Sequence, residues 1–485
     1  MQDREDSRTD SGRRAVRAGL GYTVGNLLIK GLAFLSIPIF SNLLSTADYG
    51  VFNTYMAYMS LFTVVISLGL PTSIRTARYD FGSRSGEYVS CGALMIVLNL
   101  LAFLAGGAVL GEALEVYGGL KRELVILAVF ASFGSALLSY YNNLLSMEYR
   151  SREYLAISFF YSASSILLSV TLIGLHRGER GYFYRALGNT IPMLLVAAYV
   201  LARMWRRERP RLRREYARYG LRFGLPLIPH DLSRIVLSQF DRIMIDQVIG
   251  DVQAGLFSFA CNLGLPVEVL TTSIDTAWCP WLFERLKEGD YARIRRRARD
   301  ITALMSLCVC LLVLVSPELI RLLSAPGYWE SRQVAVPIVL SMYYAFLYIL
   351  PAGIEYYHKK TQYIAAGTMA VAALNVALNA LCIPRFGYVS AAYTTVASYA
   401  LYYLFHTLIA RRLTGRWVVE SAGLFACVGG VTAVACLSQL CVEAWPLRWG
   451  LAAALLCAVL TVLIRRKAQW IPMARALLGR REENK

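Results

Sequence analysis

Long apolar runs alternate with short polar breaks along the whole chain. Many of these runs reach about 20 residues, the length at which an α-helix crosses the hydrocarbon core of a bilayer. The breaks coincide with turn-forming sequences such as Gly250-Asp251 and Pro326-Gly327. The pattern predicts an all-α polytopic membrane protein with about fourteen transmembrane helices, at residues 18–41, 51–74, 88–111, 123–147, 154–175, 181–203, 220–249, 254–282, 300–323, 333–354, 362–383, 388–410, 418–440 and 448–465.

The composition and the distribution of charge agree with this class. Of the 485 residues, 56% are hydrophobic and 17% are charged. The net charge of +18 would suit a nucleic-acid-binding protein. However, about 37 of the 50 Lys and Arg residues fall in the two termini and in alternate loops, and about 7 fall in the other loops. This asymmetry is the positive-inside pattern of membrane proteins. It predicts a multi-pass protein of the cell (inner or plasma) membrane with both termini in the cytoplasm and no nucleic-acid partner.

The two heaviest basic clusters lie at residues 203–218 and 285–299. Arginine and lysine in short cytoplasmic loops fix the orientation of neighbouring helices, and we favour this anchoring role for both clusters. The alternative is a patch that binds membrane lipid headgroups or regulates the protein, since polybasic segments attract anionic lipids.

A short internal repeat divides the chain. Gly50 and Phe52 near the start of the predicted second helix match Gly255 and Phe257 near the start of the eighth, at an offset of 205 residues. Six helices separate the two segments, so the match predicts two six-helix lobes related by parallel repetition. The expected domains are an N-terminal lobe with its basic linker at 1–215, a C-terminal lobe at 216–412, and two additional helices with a basic tail at 413–485.

The predicted seventh helix carries charged side chains within an apolar sequence: Asp231, Arg234, Asp241, Arg242 and Asp246. Each charge costs roughly 2.5–3.5 kcal/mol at mid-membrane, whereas a Leu or Ile returns only about half a kcal/mol. The charged residues must therefore face one another, a neighbouring helix or a water-filled cavity, and such residues indicate a functional site. His230, Arg234 and Asp241 fall on one helical stripe. A charged helix that balances itself inside a bundle is the structural alternative.

Other polar residues lie within predicted helices. Lys30 is near the middle of the first helix, and Glu268 and Asp275 share a face of the eighth. Asn375 and Asn379, four residues apart in the eleventh helix, are predicted to hold helices together rather than to touch a substrate.

We find no sequence signature of an enzyme or of a bound cofactor. The ten cysteines lie mostly in apolar runs, without the spacing of a disulfide framework or a zinc site. Phosphate-binding loops, HExxH and GxSxG are absent from the sequence. We therefore expect no catalytic residues, no metal and no cofactor.

Three segments carry a resemblance to a known family: FLSIPIFSNLLSTADYGVFNTY, the central LPLIPH, FDRIMID and AGLFSFA, and LNVALNALCIPRFGYVSAAYTTVASYALYY. They resemble the bacterial polysaccharide flippases of the Wzx or PST type, in the multidrug/oligosaccharidyl-lipid/polysaccharide (MOP) superfamily. The resemblance implies two six-helix bundles around a V-shaped cavity that opens alternately to either side. It implies transport of an undecaprenyl-pyrophosphate-linked oligosaccharide, a unit of O-antigen, capsule or another surface polysaccharide, from the inner to the outer leaflet. Membrane lipids and the polysaccharide polymerase machinery would then be partners.

Such a cargo carries negative charge that cannot cross hydrocarbon unaided, and cationic side chains would replace its lost hydration. We expect Lys30, Arg234 and Arg242 to bind the anionic substrate. Asp241 is expected to be a charge partner of Arg234 or Arg242, or else a coupling group for an ion. Other candidates for ion coupling or charge pairing, with H+ and Na+ both open as the ion, are Asp246, Glu268 and Asp275.

Three other functions remain open. A MATE-like drug or cation antiporter would have a cavity rich in acidic and aromatic groups, and a lipid II-type flippase would share the fold. A membrane glycan polymerase or ligase would show a large extracytoplasmic loop, but the longest predicted outer loop has only about a dozen residues. The last class is therefore disfavoured.

Overall fold

The computed structural model describes residues 2–118, 120–176, 178 and 180–465. Helices make up nearly all of this part of the chain. Their bounds are α1 Gln2–Leu43, α2 Thr46–Ser67, α3 Leu70–Asp80, α4 Ser85–Gly118, α5 Arg122–Met147, α6 Ser151–Leu175, α7 Gly181–Arg207, α8 Arg214–Gly224, α9 Ile228–Val248, α10 Asp251–Cys261, α11 Leu265–Glu288, α12 Tyr291–Leu323, α13 Arg332–Leu347, α14 Ile349–Tyr357, α15 Thr361–Phe386, α16 Val389–Thr414, α17 Ala422–Leu440 and α18 Trp445–Arg465.

Four pairs of these helices follow one another with only a short interruption: α2–α3, α8–α9, α10–α11 and α13–α14. When each pair is counted as one rod, the described residues form the fourteen rods that the apolar runs predict. By length and hydropathy alone, eleven helical segments of the described chain are able to cross a membrane. The rods outside that set are α8–α9, α16 and α18, and in α9 the charged side chains lower the hydropathy.

The interruptions have local causes. Between α2 and α3, Leu68 and Gly69 both adopt positive φ angles, which end one helix and redirect the next. Between α8 and α9, Leu225–Leu227 form a 3₁₀ turn around Pro226, which lacks the backbone N–H that an α-helix requires. Breaks of this kind inside an apolar run do not change its hydropathy, so the sequence pattern did not show them.

Two large apolar cores correspond to the two lobes. One core joins α2, α4, α5 and α7 and includes Tyr55, Ile96, Leu137 and Val200. The other joins α11, α12, α13 and α14 and also receives Ile37 and Phe40 from one end of α1. The first helix of the N-terminal lobe therefore contacts the core of the second lobe.

Much of the predicted basic linker is helical, and only residues 208–213 connect two helices there. Helix α7 continues to Arg207 and α8 begins at Arg214. Helix α8 packs on α3 and α4, where Tyr216 and Tyr219 contact the ring of Phe81 at centroid distances of 4.9 Å each. Helix α8 is thus attached to the N-terminal lobe, and α9 begins the second lobe.

The two C-terminal helices pack on the second lobe through α12 and α13. Arg448 at the start of α18 is 2% exposed and donates to Glu318 on α12 at 2.8 Å. Arg332 and Glu443 form a second ion pair at 2.8 Å. Arg448 is buried, and Glu318 and the Leu314 carbonyl accept its hydrogen bonds.

Candidate functional site: the interface between the lobes

The two lobes meet at one end of the molecule, which we call the gate end and define by the turns at residues 44–46, 249–251 and 324–331. The opposite end, with the turns at 208–213, 289–290, 358–360 and 415–421, is the basic end. At the gate end, α2 crosses α10 at Gly50 and Gly255. A Cβ atom on Gly50 would lie 1.9 Å from the Asp251 carbonyl oxygen, and one on Gly255 would lie 1.9 Å from the Thr46 carbonyl oxygen. Only glycine permits this backbone contact.

This crossing joins the two residues that the internal repeat pairs. Hydrogen bonds reinforce it, because the Tyr328 hydroxyl donates to the carbonyl oxygens of Leu44 and Ser45 at 3.0 Å each. The Asn262 amide donates to the Tyr49 hydroxyl at 2.7 Å. Residues from both lobes therefore seal the gate end in this conformation.

Deeper in the interface, a salt bridge connects the lobes. Lys30 Nζ on α1 lies 3.0 Å from Glu268 Oε1 on α11, and their side chains are 32% and 55% exposed. Lys30 is about fifteen residues along α1 from the gate end, which corresponds to roughly 20 Å at 1.5 Å per residue. The structure thus brings together a predicted substrate-binding cation and a predicted acidic partner.

Arg234 and Asp275 are exposed on α9 and α11. Arg234 forms no ion pair within the described part of the chain, and it acts electrostatically on Tyr348 and Tyr356. It lies about fourteen residues from the gate end of α9, again roughly 20 Å. Arg234 and Lys30 therefore lie at similar depth on different lobes.

Asp241 has a different environment from the one predicted. It is 5% exposed, and its oxygens accept hydrogen bonds from Asn379 Nδ2 at 2.6 Å and from Thr395 Oγ1 at 2.9 Å. Among the described residues it forms no ion pair with Arg234 or Arg242, although Arg242 is close enough to act on it electrostatically, and its role as a charge partner stays a prediction. Arg234 is two turns away along α9, and the adjacent Arg242 projects about 100° round the helix.

The partners of Asp241 belong to a buried polar cluster between α9, α15 and α16. Asn379 donates to Asn375 Oδ1 at 3.3 Å and accepts from Thr394. Asn375 donates to Thr395 at 3.4 Å and to Ser398 at 3.3 Å. The two asparagines hold helices together, as their spacing predicts, and the sequence did not indicate that Asp241 is the group they hold.

The other two charged residues of α9 lie nearer the gate end. Arg242 is partly buried, its Nε has no hydrogen-bond partner, and it interacts with Cys261. Asp246 is close to Asp251 and Thr54. Arg242 is therefore separated in depth from Lys30 and Arg234, and the three predicted cations do not form one cluster.

Arg185 on α7 lies between aromatic rings of the first two helices. Its guanidinium carbon is 3.7 Å from the centroid of Phe40 and 4.7 Å from that of Phe52. Its Nη1 donates to Ser169 at 2.7 Å. Contacts among four helices have no local sequence signal, so this site was missed.

The described residues have a two-lobe, multi-pass helical fold that is also found in solved structures of membrane transporters. The structure aligns with that of "Lipid II flippase MurJ, inward closed conformation", with a TM-score of 0.73, 11% identity, and coverage of 92% of this chain and 99% of that one. It also aligns with an inward-facing multidrug resistance MATE family transporter of the MOP superfamily, with a TM-score of 0.61, 16% identity, and coverage of 81% and 99%.

Sequence comparison places the chain more narrowly. The chain belongs to the polysaccharide biosynthesis protein family, whose model matches residues 16–285. Protein 1 of the Lsg locus of Haemophilus influenzae is 26% identical over 274 residues, which span 55% of this chain and 65% of that relative. A membrane protein of unknown function from the same organism is 23% identical over 360 residues, or 71% of this chain and 84% of the relative.

Proposed function

We propose that the protein flips an undecaprenyl-pyrophosphate-linked oligosaccharide from the inner to the outer leaflet of the cell membrane by alternating access, with both termini in the cytoplasm. One observation carries the proposal. In a member of the polysaccharide biosynthesis protein family, Lys30 of the first lobe is held by Glu268 of the second lobe at mid-depth. A pyrophosphate would compete with the carboxylate of Glu268 for Lys30, because both anions form charge-assisted hydrogen bonds with an ammonium group.

The cations have separate parts in the proposed cycle. Lys30 leaves Glu268 and contacts the pyrophosphate, and Arg234, which has no acidic partner among the described residues, supplies a bidentate guanidinium. Arg242 contacts the cargo only when it reaches the gate end. When the cargo leaves, Glu268 and Asp275 replace the pyrophosphate as the anionic partners of the cations.

A coupling ion is proposed at Asp241. This buried carboxylate accepts hydrogen bonds from the Asn379 amide nitrogen and the Thr395 hydroxyl, and a hard cation such as Na+ would bind to the carboxylate and hydroxyl oxygens. A proton on Asp241 would neutralise it equally well. Asp246 is a second candidate, beside Asp251. The proposal needs no organic cofactor.

The remaining assignments follow from the same proposal. The predicted lobes are residues 1–215 and 216–412, with 413–485 as an addition. Because α8 packs on α3 and α4, we move the boundary between the lobes to the end of α8, and helices α17 and α18 of the addition pack against the second lobe. Cargo loaded at the basic end would come from membrane-bound glycan assembly, and cargo released at the gate end would go to a polysaccharide polymerase.

Flipping of a fluorescent lipid-linked oligosaccharide in reconstituted vesicles tests the function. We expect Arg234→Ala and Lys30→Ala to lower the initial rate roughly tenfold to a hundredfold each, since a hydrogen bond to a charged group contributes about 1.5–3 kcal/mol. The matched control is Arg321→Ala, which removes an arginine that stacks on Trp329 at 5.5 Å and should leave the rate unchanged. If Arg234→Lys retains the wild-type rate, charge matters more than the planar fork.

The same vesicles distinguish the alternatives. The exposed carboxylates Glu268 and Asp275 favour one rival, an antiporter of cationic drugs. Gradient-driven uptake of a cationic dye without flipping of any glycan lipid would replace our proposal with that function. Faster flipping of lipid II than of oligosaccharide-diphosphate lipids would narrow the cargo to lipid II.

A further inference from the structure

A buried ionisable pair lies in the second lobe, away from the residues of the proposed transport site. His406 Nδ1 on α16 is 2.6 Å from Glu355 Oε1 on α14, and both side chains are 0% exposed. Glu355 lies two residues before the end of α14, so the pair is close to the turn at 358–360 on the basic end.

The contact fixes a proton at this position. An oxygen and a nitrogen approach to 2.6 Å only with a hydrogen between them, either on an imidazolium beside a carboxylate or on a carboxylic acid beside a neutral imidazole. Both forms have no net charge. Loss of a further proton would leave a net charge of −1 among the rings of Tyr348, Tyr402 and Phe405, and an uncompensated buried charge is costly. The pair therefore retains its proton for as long as water is excluded.

Other polar groups surround the pair on the helices that pack against α14 and α16. Helix α15 contributes the uncharged Thr368, which is hydrogen-bonded to Tyr402 at 2.7 Å. The titratable and charged groups near the pair are Tyr348 at the junction of α13 and α14, Tyr356 on α14, Tyr402 on α16, Asp275 and Cys279 on α11, and Arg234 on α9.

Several buried polar atoms, in the pair itself, on the neighbouring turn of α16 and in the turn at 415–421, have no partner among the residues described. Glu355 Oε2, His406 Nε2, Tyr403 Oη, Thr407 Oγ1 and Glu420 Oε1 are all buried without a hydrogen-bond partner in the structure. Thr407 is close to Glu420, which lies in the turn at 415–421. Burial raises the pKa of Glu420, against backbone hydrogen bonds that lower it. Buried polar atoms in native proteins are nearly always satisfied, by protein or by ordered water.

We propose that Glu355 and His406 form a proton-binding site that exchanges one proton with water at the nearby basic end. In the exchange, the proton between Nδ1 and Oε1 passes to water, leaving a carboxylate and a neutral imidazole with a net charge of −1, and the return step restores the neutral pair. A movement of α14 relative to α16 that admits water permits the loss. The binding of the proton is independent of the cargo, and its coupling to transport rests on the proposed function.

Nitrogen-15 NMR of histidine tests the site directly. Wild-type protein in lipid nanodiscs is labelled at its four histidines, and the His406 signal is identified by its loss in His406→Gln. In the wild type, the His406 ring should change its protonation between pH 5 and 9. In Glu355→Gln, which keeps the shape and an acceptor, the midpoint should shift by at least one pH unit. His358→Gln is the matched control, because the Nδ1 of His358 lies near a backbone carbonyl, 2.9 Å from that of Ile354, and not near a carboxylate. A ring that does not titrate over this range, or an unchanged midpoint in Glu355→Gln, would overturn the proposal.

The coupling is tested by the pH dependence of flipping. Glu355→Gln and His406→Asn, two variants in case one fails to insert, should flip at rates that no longer vary with the pH at the basic end, whereas His358→Gln should follow the wild type. A wild-type pH profile in an inserted Glu355→Gln protein would exclude coupling through this pair. Absence of flipping by the wild type would count against the proposed function, and the ring titration would then decide the proton site alone.

Discussion

Asp241 shows how a single residue acquires its properties from distant neighbours. Removing a carboxylate from water costs several kcal/mol unless hydrogen bonds or an opposite charge compensate. The nearest arginine in sequence, Arg242, does not form an ion pair with it, and the compensation comes from Asn379 and Thr395 on other helices. A buried carboxylate held by neutral donors can lose or gain an ion without breaking a salt bridge, and this property favours a coupling role over the structural one.

We expect Asp241→Asn to preserve the fold and to lose coupling. The new amide would accept from Asn379, and its NH₂ would donate to Thr395, whose hydroxyl also donates to the Ala391 carbonyl at 2.8 Å. Asp241→Ala instead leaves buried donors unpaired and should lower stability by about 1–3 kcal/mol. Thermal unfolding in detergent measures the stability of both variants, and flipping with and without an imposed proton or sodium gradient measures coupling.

Two results would contradict this expectation. One is a normal response of Asp241→Asn flipping to both gradients, which would return Asp241 to a purely structural role. The other is a stability of Asp241→Asn as low as that of Asp241→Ala, which would show that both carboxylate oxygens are required as acceptors.

The limits of sequence reasoning are clear at this scale. The cost of burying charge singled out Asp241 and Arg234 as residues that need an environment other than lipid, and Asp241 lies in a buried polar cluster. The four-residue spacing of Asn375 and Asn379 also indicated helix contacts. However, the bonds from Asn379 and Thr395 to Asp241 span 138 and 154 residues of sequence. Only the packing of α9 against α15 and α16 brings these residues together.

At the scale of elements, the crossing of α2 and α10 is the feature on which alternating access would depend. Both helices begin at the gate end, and each presents a glycine to the backbone of the other. The repeat in the sequence predicted that Gly50 and Gly255 are equivalent, but equivalence by repetition does not imply contact. The contact arises because the equivalent helices of the two lobes face each other. Hydropathy predicted the number of rods well, because membrane thickness sets their length.

We expect Gly255→Ala to prevent the gate end from closing. Its Cβ would lie 1.9 Å from the Thr46 carbonyl oxygen, and because both partners are backbone the helices must separate. The reciprocal change, Gly50→Ala, would meet the Asp251 carbonyl oxygen at the same distance. A cysteine at Asn262, labelled from the gate side, should react roughly tenfold faster in either variant, which corresponds to a shift of about 1.4 kcal/mol in the closing equilibrium.

The matched control for the gate is Gly429→Ala in α17, where no atom lies within 4 Å of the added Cβ. This variant should keep the wild-type labelling rate and gain slightly in helix stability. If the Gly255→Ala and Gly50→Ala proteins insert and are labelled as slowly as the wild type, the crossing does not control access at the gate end.

At the scale of the whole molecule, the number of rods and the distribution of charge constrain each other. If each of the fourteen rods crosses the membrane once, an even number, then Gln2 and Arg465 lie on the same side. All the turns of the basic end then lie on that same side. The helix ends that adjoin the turns at 208–213 and 289–290 are rich in arginine. The gate end has few basic residues and is the end at which the lobes are joined. The proposed direction of transport therefore depends on which end faces the cytoplasm.

We expect the basic end to face the cytoplasm, because arginine and lysine in short loops resist translocation. In a variant whose ten native cysteines are replaced, a cysteine at Arg211 or Gly289 should react with a membrane-impermeant maleimide only after the cells are opened. A cysteine at Phe386, which is 72% exposed at the gate end, should react in intact cells. Labelling of Arg211→Cys from outside intact cells would show that the basic end faces outwards. Cargo loaded at the basic end would then move inwards, and the protein could not export the glycan that we propose.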